Sequence, residues 1–468
     1  MPTRCKRRIN GFCTASFLCG GKLSNGEVRL VRLFALLVSL LLLSACNGVQ
    51  LGINELIEPP RLTTQQSAIY DAVEQAVGTN SFKLQYPRRG DNLSACVLDD
   101  LDKDGQDEAI VFYELTVNGL TSSWMSILAE QNGVWKSRYQ LPGEGGEIDF
   151  ISFAPMEDVN RNNIIVGWTI AGKDNLVCKV YSYSAESAET RYEGSYNEIL
   201  VADVDDNGLS EMILCTKNMT KSAVMSLIKY RSGRIVRTSE VKMPTAMTDY
   251  AKLSCGKLTT GLTAVFADIY LGSDEMTTRI AVVDDQKSII EALSNEDIGI
   301  YESFDRATPT LTCADVNGDG LIDIPVSSPL PGYSVADERE AVYLTEYMSV
   351  LDGTLQCVQR SVVNFAAGYQ LKLPDGWKDT VTVRRQSDTG EWRFVLFDGT
   401  LDNSDIELLR IRVVSPSDYQ DKFETTQYSV VGTKGVNSYQ IYIPEESYPG
   451  YSITYERAQS LFSLLDLQ

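Results

Sequence analysis

The 468-residue sequence contains no histidine. This absence excludes Ser-His-Asp and Cys-His catalysis, HExxH zinc sites and all histidine acid–base chemistry. Excess positive charge is lacking as well, because 42 Lys and Arg stand against 63 Asp and Glu, a net charge of −21. The electrostatic attraction that dominates binding to nucleic acids is therefore missing, and we expect no nucleic-acid partner. Any catalysis would have to use carboxylates, Lys, Tyr, Ser or Cys.

Long apolar runs are also scarce near the N-terminus. The run at residues 33–43 has 11 residues, too few to cross a bilayer core of about 30 Å. Because a short basic segment containing Arg29 and Arg32 precedes it, residues 1–45 are predicted to be a signal peptide. Residues 1–27 show no such pattern, and we interpret them as a mis-annotated extension of the gene.

The end of this segment, Leu43-Ser-Ala-Cys46, resembles a bacterial lipobox. The resemblance implies that Cys46 is lipidated and begins the mature chain, with residues 46–62 as a tether. The membrane would then be a partner through the lipid, since the negative chain is repelled by anionic lipids. We therefore expect a bacterial cell-surface or extracytoplasmic location.

One helix is predicted within residues 63–81. Thr63 and Gln66 form a capping-box pattern, and Gly78 stands where a C-terminal cap is expected. Apolar residues between them follow a helical period and form one face, which we expect to pack on the main domain. They are Ile69, Ala72, Val73, Ala76 and Val77.

Residues 82–366 have the pattern of an all-β domain. Apolar segments of five to nine residues alternate with turn dipeptides such as Asn132-Gly133, a strong hairpin signal. Closed or radially repeated sheets would remove the unpaired edges of so many antiparallel strands.

Three acidic loops share one pattern, with oxygen-bearing side chains at positions 1, 3, 5 and 9 and glycine at position 6. We call residues 100–108 loop 1, residues 203–211 loop 2 and residues 315–323 loop 3. Such alternating oxygen ligands on a tight turn suit Ca²⁺. An EF-hand or a dockerin loop requires a ligand at position 12, where this sequence has Val111, Leu214 and Val326. Both are disfavoured.

The pattern resembles the calcium loops of FG-GAP/VCBS repeats, in which each loop precedes a strand of a β-propeller blade. The resemblance covers residues 82–366 and implies up to three Ca²⁺ ions with a structural role or, as an alternative, a calcium-dependent partner surface. By this resemblance the side-chain ligands would be Asp100, Asp102, Asp104 and Glu108 in loop 1, Asp203, Asp205, Asn207 and Glu211 in loop 2, and Asp315, Asn317, Asp319 and Asp323 in loop 3. The backbone carbonyl ligands would come from Gln106, Leu209 and Leu321.

The loop spacing predicts the number of blades. Loops beginning at residues 100, 203 and 315 are about two blades apart, at roughly 40–50 residues per blade. Residues 158–166 would be an intervening loop that lost its metal, with Asp158 at position 1 and Val166 at position 9. A further blade would begin near residue 256 without an acidic loop. We therefore predict about five blades, within a range of five to seven.

Residues 367–468 are predicted to form a small α+β domain. Its texture faintly resembles the PsbP-like α/β sandwich, and its helix is predicted over residues 454–465. The six cysteines after Cys46 lie in apolar strand-like stretches without a CxxC motif, which favours buried thiols although export would permit disulfides.

The functional prediction is a membrane-anchored extracytoplasmic lipoprotein acting as a calcium-stabilised binding or scaffold module, with an envelope protein or glycan as partner. Two motifs do not predict an enzyme: Ser226-x-x-Lys229 lies in a predicted strand, and the elbow-like Ser334 has no histidine to activate it. The alternative is a glycan-active hydrolase with paired carboxylates, for which Asp284 and Asp285 are the remaining pair. A third interpretation is a purely structural envelope protein.

Overall fold

The fold is mainly β, as predicted, and is built from several antiparallel sheets. The computed structural model describes residues 63–465 except 145, 171, 173, 219–220, 273–274, 285–288, 293–303, 308–310, 335–340, 387–388 and 416–427. The predicted signal peptide, Cys46 and the tether lie outside the described residues. No helix in the described part of the chain has the length and apolar character needed to cross a membrane.

The N-terminal helix α1 spans Thr64–Val77. It ends where Gly78 adopts a φ of +69°, and the amide of Gly78 donates to the carbonyl of Glu74 at 3.0 Å. Glycine adopts this conformation at little cost, so the sequence signal for the helix end is explained. The predicted apolar face packs against the first sheet, except for Ala76, which is exposed.

Six sheets follow one another along the chain. Sheet 1 contains β1 (Ser81–Leu84), β2 (Cys96–Asp99), β3 (Glu108–Val117), β4 (Leu120–Gln131) and β5 (Val134–Pro142). Sheet 2 contains β6 (Ile148–Ala154), β7 (Asn163–Trp168), β8 (Leu176–Tyr183) and β9 (Ala188–Tyr196). Sheet 3 contains β10 (Glu198–Ala202), β11 (Glu211–Asn218), β12 (Lys221–Arg231) and β13 (Arg234–Lys242).

The second half of the chain continues this arrangement. Sheet 4 contains β14 (Asp249–Thr259), β15 (Leu262–Tyr270), β16 (Met276–Asp284) and β17 (Ile289–Ala292). Sheet 5 contains β18 (Ile324–Pro329), β19 (Tyr343–Leu351), β20 (Thr354–Asn364), β21 (Tyr369–Lys372) and β27 (Phe462–Leu464). Sheet 6 contains β22 (Val381–Arg385), β23 (Trp392–Leu396), β24 (Glu407–Val414), β25 (Ser429–Lys434) and β26 (Asn437–Tyr442).

Local turn chemistry explains the tight hairpins. Asn132 and Gly133 both have positive φ, +54° and +79°, and connect β4 to β5. Two successive positive φ values are those of a type I′ turn, whose twist matches that of the paired strands. The hairpin predicted at this dipeptide is therefore present.

Successive sheets pack face to face in the order of the sequence. One hydrophobic cluster joins each neighbouring pair, from sheets 1 and 2 to sheets 5 and 6, while α1 covers the other face of sheet 1. Phe112 of sheet 1 and Trp168 of sheet 2, for example, make an edge-to-face contact with their ring centroids 5.9 Å apart. No closed ring of sheets is detected among the described residues, so the propeller stays a prediction.

The C-terminal residues contribute to two sheets. The predicted domain boundary after residue 366 falls between β20 and β21, which are hydrogen-bonded neighbours in sheet 5. The predicted C-terminal helix is present as α2 (Tyr455–Leu461), with Thr454 accepting a hydrogen bond from the amide of Arg457. Its predicted end at residue 465 is wrong, because Phe462–Leu464 extends and pairs with β21. The hydrogen bonds that these residues form with the edge strand β21 are more favourable than continuing the helix.

Candidate metal centre

The acidic loops occupy the same place in their sheets. Loop 1 joins β2 to β3, and loop 2 joins β10 to β11. Loop 3 runs from an isolated bridge between Ala314 and Asp323 into β18. Glu108 and Glu211 at position 9 are the first residues of β3 and β11, and Asp323 at position 9 of loop 3 is bridged to Ala314 one residue before β18.

Loop 1 is organised by its own carboxylates. The two carboxylate oxygens of Asp100 accept hydrogen bonds from the amides of Asp104 at 3.1 Å and Gly105 at 3.0 Å. Glu108 accepts one from the amide of Leu101, also at 3.1 Å. Loops 2 and 3 repeat all of these bonds, with Asp203 bonded to Asn207 and Gly208, Glu211 to Val204, Asp315 to Asp319 and Gly320, and Asp323 to Val316.

The turn at position 6 requires glycine. Gly105, Gly208 and Gly320 have φ of +91°, +87° and +84°, a conformation that residues with a Cβ rarely adopt. The three loops therefore share one backbone conformation as well as one sequence pattern.

Carboxylate oxygens converge in loops 1 and 2. The triad of Asp100, Asp102 and Glu108 places one oxygen from each residue within 4.8 Å of the others, and the triad of Asp203, Asp205 and Glu211 does the same. These are positions 1, 3 and 9, and each triad could hold a metal ion. In loop 3 the corresponding residues are Asp315, Asn317 and Asp323, which supply two carboxylates and one amide.

The predicted ligands at positions 5 and 7 do not belong to these triads. Asp104, Asn207 and Asp319 use a side-chain oxygen to accept from the amide two residues later, that of Gln106, Leu209 and Leu321 respectively. Their bonds stabilise the turn, and the carbonyl ligands at position 7 stay a prediction.

Loop 1 has buried oxygen atoms that suit a cation. Oδ1 of Asp102 is buried and has no hydrogen-bond partner. Burial, with added repulsion from Asp102, Asp104 and Asp100, raises the pKa of Glu108 to about 7. Burial and the carboxylate of Asp205 likewise raise the pKa of Glu211 to about 7. Concentrated negative charge in a partly buried loop is costly unless a cation balances it.

The loop of sheet 2 has a different register from the predicted one. Asn163 begins β7, and its Oδ1 accepts from the amide of Met156 at 3.2 Å, seven residues earlier, as the position-9 carboxylates do in loops 1–3. Asn163, not Val166, therefore takes position 9, and Glu157, not Asn160, takes position 3. Glu157 pairs with Arg191 at 2.8 Å, so a side-chain cation balances this acid.

The loops lie in one row. The amide of Asn162 donates to the carbonyl of Leu101, and the amide of Ser210 donates to that of Pro155. Lys257 of sheet 4 then connects loops 2 and 3, because its ammonium contacts Asp206 and its carbonyl accepts from the amide of Ile322. We call residues 100–108, 155–163, 203–211 and 315–323 together the loop row.

A lysine from β12 contacts the acids of loop 2, and the nine-residue loop pattern gave no sign of it. The ammonium of Lys229, from β12, lies 2.7 Å from Asp205 and 3.8 Å from Glu211. Within the part of the chain that the structure describes, no Lys or Arg nitrogen lies within 4.0 Å of a carboxylate of loop 1. The signal that could have found it is strand pairing, which brings Lys229 beside Glu211. Lys229 belongs to the Ser226-x-x-Lys229 motif and is engaged by these acids.

A separate cleft lies between sheets 1 and 2. Its lining includes the carboxylates of Glu114 and Glu147. Glu114 accepts from Gln85 at 3.1 Å, and Glu147 faces Arg88 at 3.5 Å. This cleft was not predicted from the sequence, and of the pair that was, Asp285 and the side chain of Asp284 lie outside the described residues. All six described cysteines carry free thiols, and Cys178, Cys215 and Cys313 are buried.

Comparison with known proteins gives no match to a family model and no match to a curated protein. The interpretation of the site therefore depends on its own geometry.

Proposed function

We propose that the protein is a calcium-stabilised binding or scaffold module, held by a lipid at the bacterial cell envelope. The observation that carries the proposal is the repeated loop, in which the same amide-to-carboxylate hydrogen bonds accompany two convergent carboxylate triads. We further propose that the stacked sheets are blades of an FG-GAP/VCBS-type propeller.

Calcium fits this donor set better than other common cations. The triads offer only hard oxygen ligands on a glycine-containing turn, and calcium accepts six to eight oxygens in flexible geometry. An ion in loop 1 would bring a partner to the buried oxygen of Asp102 and balance the charge near Glu108. Extracellular calcium modules of moderate affinity, about 10⁻⁴–10⁻³ M, fill outside the cell and empty inside.

Thermal unfolding of the full chain in excess calcium and in chelator tests the metal assignment. We expect calcium to raise the melting temperature, since a free calcium concentration of 100 times the Kd of one site adds about 2.7 kcal/mol to the free energy of unfolding. Asp102→Asn should remove most of the loop 1 contribution. Asp107→Asn is the matched control, because Asp107 is an exposed acid of the same loop outside the triad. Equal melting temperatures in both buffers would overturn the assignment.

The envelope location has its own test. Expression of the precursor with a labelled fatty acid should label the protein, and Cys46→Ser should abolish the label and release the chain from membranes. A soluble, unlabelled wild-type protein would refute the anchor without affecting the calcium proposal. Capture of one defined envelope component only in calcium would support the binding role.

The hydrolase alternative is a second candidate, because the cleft between sheets 1 and 2 contains two carboxylates outside the loop row. Chromogenic glycosides should then be cleaved by the wild-type protein and not by Glu114→Gln or Glu147→Gln. Absence of cleavage across a panel of α- and β-glycosides would remove this candidate.

A further inference from the structure

Loops 1 and 2 differ at the residue facing position 9 from the third strand of the sheet. Across β11 and β12, Met212 pairs with Ile228, so the next position places Lys229 beside Glu211. Across β3 and β4, Ala109 pairs with Leu128, so the corresponding residue beside Glu108 is Ala129. At this position one acidic triad faces an ammonium and the other a methyl group, and Glu108 also accepts a long hydrogen bond from the hydroxyl of Tyr183 at 3.5 Å.

The Lys229 ammonium is built into loop 2. It contacts Asp205 and Glu211, which are two of the three acids of the triad, and the side chains of Lys229, Asp205 and Glu211 are only 8%, 2% and 2% exposed. A calcium ion among these acids would lie close to a nearly buried positive charge, where little solvent is present to screen the repulsion. Calcium could bind there with the usual ligands only if the lysine moved away.

We propose that Lys229 is the internal counter-cation of loop 2 and takes the place of calcium there, so that loop 1 is the calcium-responsive member of the pair. This inference rests on the proposed function in one respect, namely that loop 1 binds calcium. It assigns different roles to two loops whose ligand patterns look alike. The stability of loop 2 would not change with calcium concentration, whereas loop 1 would be stabilised further when calcium is present.

The loop of sheet 2 supports the inference independently. Its position-3 acid, Glu157, is paired with Arg191, and its position 9 is the neutral Asn163, which also donates to Glu157 at 2.9 Å. A protein side chain thus supplies the cation at a second place in the loop row.

Loop 3 has no lysine at the corresponding position. Ile324 pairs with Met348, so Ser349 stands beside Asp323 where Lys229 stands beside Glu211.

Calcium titration by calorimetry tests the proposal in a chain where loops 1 and 3 are silenced by Asp100→Asn and Asp315→Asn. We expect this double variant to bind calcium weakly or not at all. Adding Lys229→Met, which keeps a long apolar stem and removes the charge, should raise the calcium affinity of loop 2 at least tenfold. An unchanged affinity, or tight binding already in the double variant, would overturn the proposal.

The reciprocal exchange guards against a variant that fails to fold. Ala129→Lys in the wild-type chain should weaken calcium binding at loop 1 at least tenfold and reduce the calcium-dependent rise in melting temperature. Ala129→Met is the control for added bulk without charge and should bind as the wild type does. Equal binding by the Lys and Met variants would count against the proposal.

These outcomes separate the inference from the function on which it rests. A wild-type chain that binds no calcium would refute the proposed function. A chain that binds calcium at loop 1 and is unaffected by Lys229→Met and Ala129→Lys would leave the proposed function standing and refute the role of Lys229.

Discussion

Loop 1 and loop 2 have the same turn, the same hydrogen bonds and the same three acids, yet their charge balance differs. Loop 2 has the ammonium of Lys229 beside its carboxylates, whereas no Lys or Arg nitrogen of the described residues lies within 4.0 Å of a loop 1 carboxylate. The nine-residue pattern therefore positions the carboxylates, but the residue on the neighbouring strand determines whether a side-chain cation balances their charge. Three predictions test what the two loops share and where they differ, beginning with the charges.

In calcium-free buffer, we expect the largest effect from removing one carboxylate charge from each loop. Asp205→Asn should lower the free energy of unfolding by about 3 kcal/mol, because it weakens a nearly buried ion pair. Asp102→Asn should cost less than about 1 kcal/mol or stabilise, since it relieves repulsion with Asp100 and Glu108. Urea unfolding in chelator measures both. Equal losses would show that the two loops have the same charge balance.

The second prediction concerns what the loops share. Gly105→Ala and Gly208→Ala should each cost about 1–2 kcal/mol, because alanine is strained at these positive φ values. The costs should be similar, since backbone strain does not depend on Lys229. Gly261→Ala is the control, because Gly261 has open space around it and no positive φ. A much larger cost in only one loop would contradict a common backbone conformation.

The third prediction is a pH dependence in calcium-free buffer. Because burial raises the pKa of Glu108 and Glu211 in the folded state to about 7, above their usual 4.5, the folded chain binds these protons more tightly. Stability from this source is greatest below about pH 4.5 and is lost as the pH rises towards 7. Melting temperatures across this range measure it, and Glu108→Gln should flatten the slope.

Added calcium should change this pH dependence differently for the two loops. Calcium should remove the contribution of Glu108 to the dependence of stability on pH, because an ion bound in loop 1 keeps Glu108 ionised. It should leave the part removed by Glu211→Gln, which comes from the burial of Glu211 and its repulsion by Asp205 in a loop that holds no calcium. A slope unchanged by either substitution would mean that other groups cause the pH dependence.

Several features could be predicted from short stretches of sequence because their causes are local. The end of α1 at Gly78 and the hairpin at Asn132-Gly133 both depend on a residue that tolerates positive φ. The register of loops 1–3 depends on acids and a glycine within nine residues. These features need no information from other strands.

The errors have a different origin. The sequence pattern places the loop of sheet 2 three residues too far along, because Asn163 is recognised only by its bond to Met156 and its position at the start of β7. The sequence pattern extends the C-terminal helix past Leu461, because the apolar residues up to Leu465 keep a helical period and nothing local shows the open edge of β21. In both cases a long-range contact outweighed a local pattern.

By itself, the sequence determined the mainly β class, the conformation of the acidic loops and the types of ligand atom that they present. Only the tertiary structure decided which acids converge, that Lys229 enters loop 2 but Ala129 stands in its place at loop 1, and that the loops contact one another in a row. The physical reason is range. Backbone conformation depends on residues a few positions apart, whereas the balance of buried charge depends on strands brought together by pairing and packing.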